Sequence, residues 1–158
     1  MKWLLILLLL LSCSMDYPDF KNGYIVRWHD DFENISGMWL QLPKAVDQKN
    51  TWIDFALYKD YLRVDYDDPS SNIFNRISFI NIKIDNTKHT IFPSKSYWDS
   101  DNYLTVGEFP RNEHLMNILK SSDSLQFRIY DTNLGWHEGW LPLNQPLLEQ
   151  FIQEENNQ

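Results

Sequence analysis

"YLRVDYDD", residues 61–68, alternates apolar and polar side chains without a break: Leu62, Val64 and Tyr66 fall on one side, Arg63, Asp65 and Asp67 on the other. An extended chain points successive side chains to opposite faces, so it sorts these residues into one apolar and one charged set. A helix would scatter the charges around its circumference. The segment reads as a strand with one face buried and one in water.

The same test works outward in both directions. Upstream, "TWIDFALY" (51–58) carries Ile53, Phe55 and Leu57 on one side, and "GMWLQLP" (37–43) carries Met38, Leu40 and Leu42 before Pro43 stops it. "GYIVRWHDDF" (23–32) sets Tyr24, Val26 and Trp28 against Ile25, Arg27 and His29. Downstream, "NRISFINIKID" (75–85) begins with Ile77 and Phe79 in phase and then switches to Ile80, Ile82 and Ile84. One extra residue moves the apolar set to the other face, so the slip predicts a β-bulge. "KHTIFPS" (88–94) and "YLTVGEF" (103–109) read as shorter strands, and "SLQFRIYD" (124–131) sets Leu125, Phe127 and Ile129 against Gln126, Arg128 and Tyr130.

Two segments change period. "RNEHLMNILKSS" (111–122) places Leu115, Ile118 and Leu119 at helical spacing, with Asn112 positioned to cap the start. "NQPLLEQFIQEENNQ" (144–158) places Leu147, Leu148, Phe151 and Ile152 on one stripe, with Asn144 as the cap and Pro146 in the first turn. Closely spaced strands with two short helices predict a mainly β chain, an antiparallel β-sandwich or small barrel. An α+β arrangement, with both helices on one face of an antiparallel sheet, is the alternative. The expected organisation is one domain over residues 23–155 and a frayed tail at 156–158.

Composition narrows the function classes. The chain has 158 residues and a formal net charge of −8, which repels phosphate backbones and argues against nucleic-acid binding. Cys13 is the only cysteine, so no internal disulfide can support the fold. Packing must do so, and the 15% aromatic content supplies the bulk for it.

The amino terminus, "MKWLLILLLLLSCS", pairs Lys2 with an apolar run from Trp3 to Leu11. A spanning helix needs about 20 apolar residues, so this run matches the apolar region of a secretory signal instead. Leu10-Leu11-Ser12-Cys13 resembles the lipobox of bacterial lipoproteins. The resemblance implies removal of a signal peptide over residues 1–12, a diacylglyceryl group on the Cys13 thiol, and often acylation of the new amino terminus. Residues 13–22 then form the lipidated start and a tether. Ser14 follows the cysteine in place of Asp, which by the same resemblance implies the outer membrane of a bacterial envelope. Ordinary cleavage after Ser14, with loss of Cys13, is the competing reading.

Candidate chemistry concentrates in "NLGWHEGWLP" (133–142). Trp136, Glu138 and Trp140 fall on one face of an extended segment, and Gly135 and Gly139 allow close backbone approach. Two tryptophans flanking a carboxylate suit a ligand site that stacks a sugar ring or a peptide side chain. The alternative is that both tryptophans close the core. "DSDNYLTVGE" (99–108) fails as an EF-hand, because Leu104 stands at the sixth position and Glu108 at the tenth, so it reads as a turn. In "RWHDDFE" (27–33) His29 and Asp30 point to opposite faces of a strand, and His29 with Asp31 reads as a solvated strand end. No nucleophile elbow, zinc-binding histidine pair or phosphate loop is present, and no cofactor or metal is expected.

The segment from Glu113 to Gln153, a helix, a strand, a Gly-containing turn and a final strand before a helix, resembles the end of secreted invasion-associated locus B-type sandwich proteins. The expected function is a non-catalytic binding or interaction module of the envelope, with a protein or glycan ligand. The rival is a small glycan hydrolase using carboxylates such as Asp31 or Glu138.

Overall fold

The computed structural model describes residues 22–30, 35–67, 75–132 and 135–157. The expected signal peptide, Cys13, most of the tether and Asp31 lie outside the described residues. The elements, in chain order, are β1 (Tyr24–Asp30), β2 (Ile35–Gln41), β3 (Ala45–Val46), β4 (Trp52–Leu57), β5 (Tyr61–Asp67) and β6 (Ile77–Ile84). They continue with β7 (Thr87–Ile91), β8 (Lys95–Asp99), β9 (Leu104–Pro110), α1 (Glu113–Lys120), β10 (Ser124–Asp131), β11 (Trp136–Pro142) and α2 (Gln145–Asn156).

Two antiparallel sheets face each other as a sandwich. One runs β1-β2-β4-β5-β9-β8, with β3 paired to β4, and the other runs β11-β10-β6-β7. They do not close into a barrel, and they do not merge into one sheet with helices on a single face. The inward sets expected from alternation meet between them: the Phe55 and Phe127 rings touch edge-on with centroids 5.1 Å apart. Gly107 on β9 leaves room for β6, because a Cβ there would sit 3.0 Å from Ile77 Cδ1.

The expected bulge is present in β6. Tyr130 pairs with Phe79 and Asp131 with Ile77, which makes Ser78 the extra residue. Ile77 therefore points into the core while Phe79 turns outward and stacks on Tyr130, centroids 4.5 Å apart. The β6–β7 turn is a two-residue hairpin with Asp85 and Asn86 both at positive φ, 44° and 69°, as the twist-matched type I′ turn requires. It sets Lys83 directly opposite Lys88.

Two strands escaped the sequence reading. β3 is too short to show a period, and β8 (KSYWD) carries too little apolar alternation to declare itself. Both helices start at the expected caps: Asn112 Oδ1 accepts from the Leu115 amide at 2.9 Å, and Asn144 Oδ1 from the Leu147 amide at 3.3 Å. Gln145 Nε2 then donates to the carbonyls of Leu119 and Ser122, which ties the end of α1 to the start of α2. Leu115, Ile118, Leu119, Leu148 and Phe151 enter the core that both sheets share. The second helix continues past the expected fraying point, through Asn156, with Asn157 as its C-cap. Among the described residues no helix is long and apolar enough to cross a membrane.

Candidate functional site

Strand β11 alternates strictly: His137, Gly139 and Leu141 are buried, whereas Trp136, Glu138 and Trp140 point away from the core. The two tryptophans are 38% and 61% exposed, so they do not close the core. Cross-strand register assembles three rows on this outer face. Trp136, Tyr130 and Phe79 form an aromatic row that Phe92 extends, its ring 5.9 Å from Phe79. Glu138, Arg128, Asn81 and Thr90 form a polar row. Trp140, Gln126, Lys83 and Lys88 form the third.

Hydrogen bonds fix the middle of this face. Gln126 Nε2 donates to Glu138 Oε1 at 2.8 Å, and Arg128 Nε donates to Glu138 Oε2 at 2.9 Å, with Nη2 reaching the same oxygen. The Arg128 guanidinium also lies 4.8 Å from the centre of the Trp136 ring, and Lys49 Nζ 5.9 Å from it. Lys49 Nζ donates to the Trp136 carbonyl at 3.0 Å. Both oxygens of this carboxylate are thus engaged, one by the arginine and one by the amide. Its role is to hold Arg128 and, through Arg128, the indole of Trp136.

Two depressions adjoin along Gln126 and Glu138, which line both. One, of about 360 Å³, opens over Asn81, Lys83, Asn86, Lys88, Arg128 and Tyr130. The other, of about 240 Å³, lies beside Trp140 and includes Val46 and Gln48. Val46 and its strand partner Trp52 are themselves 41% and 57% exposed, so apolar surface continues outward from Trp140.

Beneath this face lies a polar cluster that alternation alone did not announce. His137 Nδ1 is 2.6 Å from Asp47 Oδ2, and the side chains are 4% and 0% exposed. His137 Nε2 lies 3.4 Å from Asp131 Oδ2, close enough for charge attraction but out of line for a hydrogen bond. Tyr66 donates from its hydroxyl to Asp131 at 3.1 Å, and Asn75 Nδ2 donates to that hydroxyl at 3.3 Å. The other Asp47 oxygen accepts from the amides of Lys49 and Thr51, at 2.8 and 2.7 Å. Burial works against a charged imidazole here, but Asp131 and Asp47 outweigh it and hold His137 above its ordinary value. Burial likewise opposes the Asp47 charge, and the donors from His137, Thr51 and Lys49 overcome that and hold Asp47 below the usual carboxylate range. Tyr66 is pushed far up, by burial first and by the Asp131 charge second. The cluster is closed to solvent and pins β3, β5, β10 and β11 together, which positions the outer face above it.

The seven-stranded sheet has a polar outer face of its own, where Asp54 and Asp65 oppose each other across β4 and β5. Each has a cation: Lys44 Nζ is 3.6 Å from Asp54, and Arg63 Nε 2.7 Å from Asp65. Burial holds Asp65 above the usual carboxylate range in spite of Arg63. The alternation in residues 61–68 placed Asp65 in water; it points outward, but only 9% of it is exposed. In the 99–108 segment Asp99 accepts from the amides of Asp101 and Asn102, the side-chain-capped turn expected there. His29 is exposed at the end of β1. No family model, curated protein or solved structure matches the chain.

Proposed function

We propose that the chain is a lipid-anchored protein of a bacterial envelope whose sandwich is a non-catalytic binding domain, taking a sugar chain across the outer face of the four-stranded sheet. The observation that carries this reading is the exposed Trp136–Glu138–Trp140 edge beside a floor of Gln126, Arg128, Asn81 and Tyr130. Flat aromatic faces pack on the apolar face of a sugar ring, and the amides, guanidinium and phenol between them suit its hydroxyls. Hydrolysis of a glycosidic bond would need two carboxylates about 5–9.5 Å apart across the scissile bond. Glu138 is the only carboxylate among the described residues lining the larger depression, and it is committed to Arg128 and Gln126.

The decisive variant is Trp140→Ala. Its indole fluorescence partners remain, so binding of cellohexaose, galactohexaose and hexagalacturonate can be followed by fluorescence and calorimetry. The wild type is expected to bind at least one of these chains. The variant is expected to lose about tenfold in affinity, the effect of one stacking contact. Its unfolding free energy should stay within about 0.5 kcal/mol of wild type, as for an exposed side chain. A large stability loss with unchanged binding would place Trp140 in the structure and remove it from the site.

The anchor is tested separately. Intact mass of the amino-terminal peptide from envelope fractions should carry two or three acyl chains on Cys13, and Cys13→Ala should lack them and enter the soluble fraction. One chain alone holds a protein only reversibly, so a stable envelope association needs the second. A bare peptide starting at Met15 would overturn the lipoprotein reading.

A further inference from the structure

Resting on the sugar-binding reading above, we infer that the groove selects an acidic sugar chain, with a sugar carboxylate held between Lys83 and Lys88 and the chain running along their row to Trp140. Lys83 and Lys88 face each other across the β6–β7 hairpin. Like charges directly opposite each other destabilise a strand pair. Among the described residues no carboxylate forms an ion pair with either lysine. An anionic ligand turns the repulsion into an attraction, because one carboxylate satisfies both ammonium groups.

The sign of the charge points the same way. The chain carries a formal net charge of −8. The lining of the groove holds Lys83, Lys88 and Arg128 against Glu138 alone, three cations and one anion, a local charge of +2. A positive cleft on a negative molecule focuses its field on ligands that enter it. The same contrast separates an acidic sugar from a nucleic-acid strand. An extended polynucleotide would run past the groove onto the repulsive remainder of the surface, whereas a short acidic oligosaccharide keeps its charges within the positive lining. Geometry also fits a short oligosaccharide: from β11 to β7 the row crosses three strand spacings, about 14 Å. It runs from an indole that is 61% exposed, past the Gln126 amide, to the two ammonium groups.

The test compares hexagalacturonate, galactohexaose as its uncharged counterpart, and decathymidylate, each titrated into the wild-type chain and into the Lys83→Gln/Lys88→Gln double variant. Both lysines are exposed, and removing their mutual repulsion should leave thermal unfolding unchanged or slightly raised. Hexagalacturonate is expected to bind more tightly than galactohexaose, weaken with added salt, and lose about tenfold in the double variant, the effect of two partly screened charge contacts. Equal binding of the charged and uncharged chains, or no loss in the double variant, would overturn the acidic selection and leave sugar binding standing. Tighter binding of decathymidylate than of hexagalacturonate would assign the groove to a nucleic-acid strand and overturn the inference. Binding of neither sugar would overturn this inference, and absence of cellohexaose binding as well would overturn the sugar-binding reading.

Discussion

Replacing Asp47 by alanine is expected to lower the unfolding free energy by about 3–5 kcal/mol, the cost of removing one partner from a buried charged pair. The side chain of Asp47 is fully buried, and its two oxygens do different work. One holds His137 at 2.6 Å, and the other accepts the Lys49 and Thr51 amides that shape the turn between β3 and β4. Alanine leaves an imidazole beside Asp131 with no acceptor at Nδ1 and two amides without their side-chain acceptor. Asp47→Asn keeps an oxygen for the turn and should lose less. Urea unfolding at fixed pH separates the two, and a wild-type midpoint for Asp47→Ala would show that the cluster contributes nothing to the fold.

The same cluster sets a pH dependence whose sign follows from the two shifts. His137 is raised above 6.5, so its contribution is complete below that ordinary value and is lost as pH rises through the folded value. Asp47 is lowered below 3.8, so its contribution is complete above that value and is lost as pH falls through the folded value. The cluster therefore stabilises most between 3.8 and 6.5. In Asp47→Asn the alkaline limb of the stability profile should flatten relative to wild type.

Much of this arrangement was readable from alternation. The phase of residues 124–131 already turned Gln126, Arg128 and Tyr130 outward, and the phase slip in residues 77–84 marked a bulge. The alternation kept Phe79 in phase with Ile77, however, whereas the extra residue is Ser78 and Phe79 joins the aromatic row. Trp136, Glu138 and Trp140 were legible as one face. Periodicity cannot supply register, though, and register is what seats Arg128 against Glu138 and Lys83 against Lys88. The buried cluster left a weaker trace. Asp131 and His137 continue the inward phases of β10 and β11, so each stood in the sequence as a polar residue at a core position. Their partner Asp47 lies 90 residues before His137, beside a two-residue strand, where no local pattern points to it. Asp65 shows the other limit: outward phase does not mean exposure, since it points outward beside Arg63 yet is only 9% exposed.

Phe127→Ala is expected to lose about 3–5 kcal/mol, the range for deleting a large buried aromatic. Phe127 is 1% exposed and meets Phe55 of the facing sheet edge-on. It also lies under Gly139 of the site strand, where a Cβ would stand 2.9 Å from its ring and 2.8 Å from the Val46 carbonyl oxygen. The ring thus supports β11 from below at the one residue that separates Glu138 from Trp140. The strand cannot settle into the vacated space freely, because the Asp47–Gly139 bridge holds it against the end of β3. The cavity therefore stays largely open, and its cost adds to the lost burial. Trp140, larger still, follows Gly139 on β11, yet its alanine variant should stay within about 0.5 kcal/mol of wild type. Parallel urea titrations of the two variants decide between a buried and a displayed aromatic on either side of one sheet. A similar loss in both would mean that the outer face of the small sheet is covered in the folded protein, and the binding proposal would fall with it.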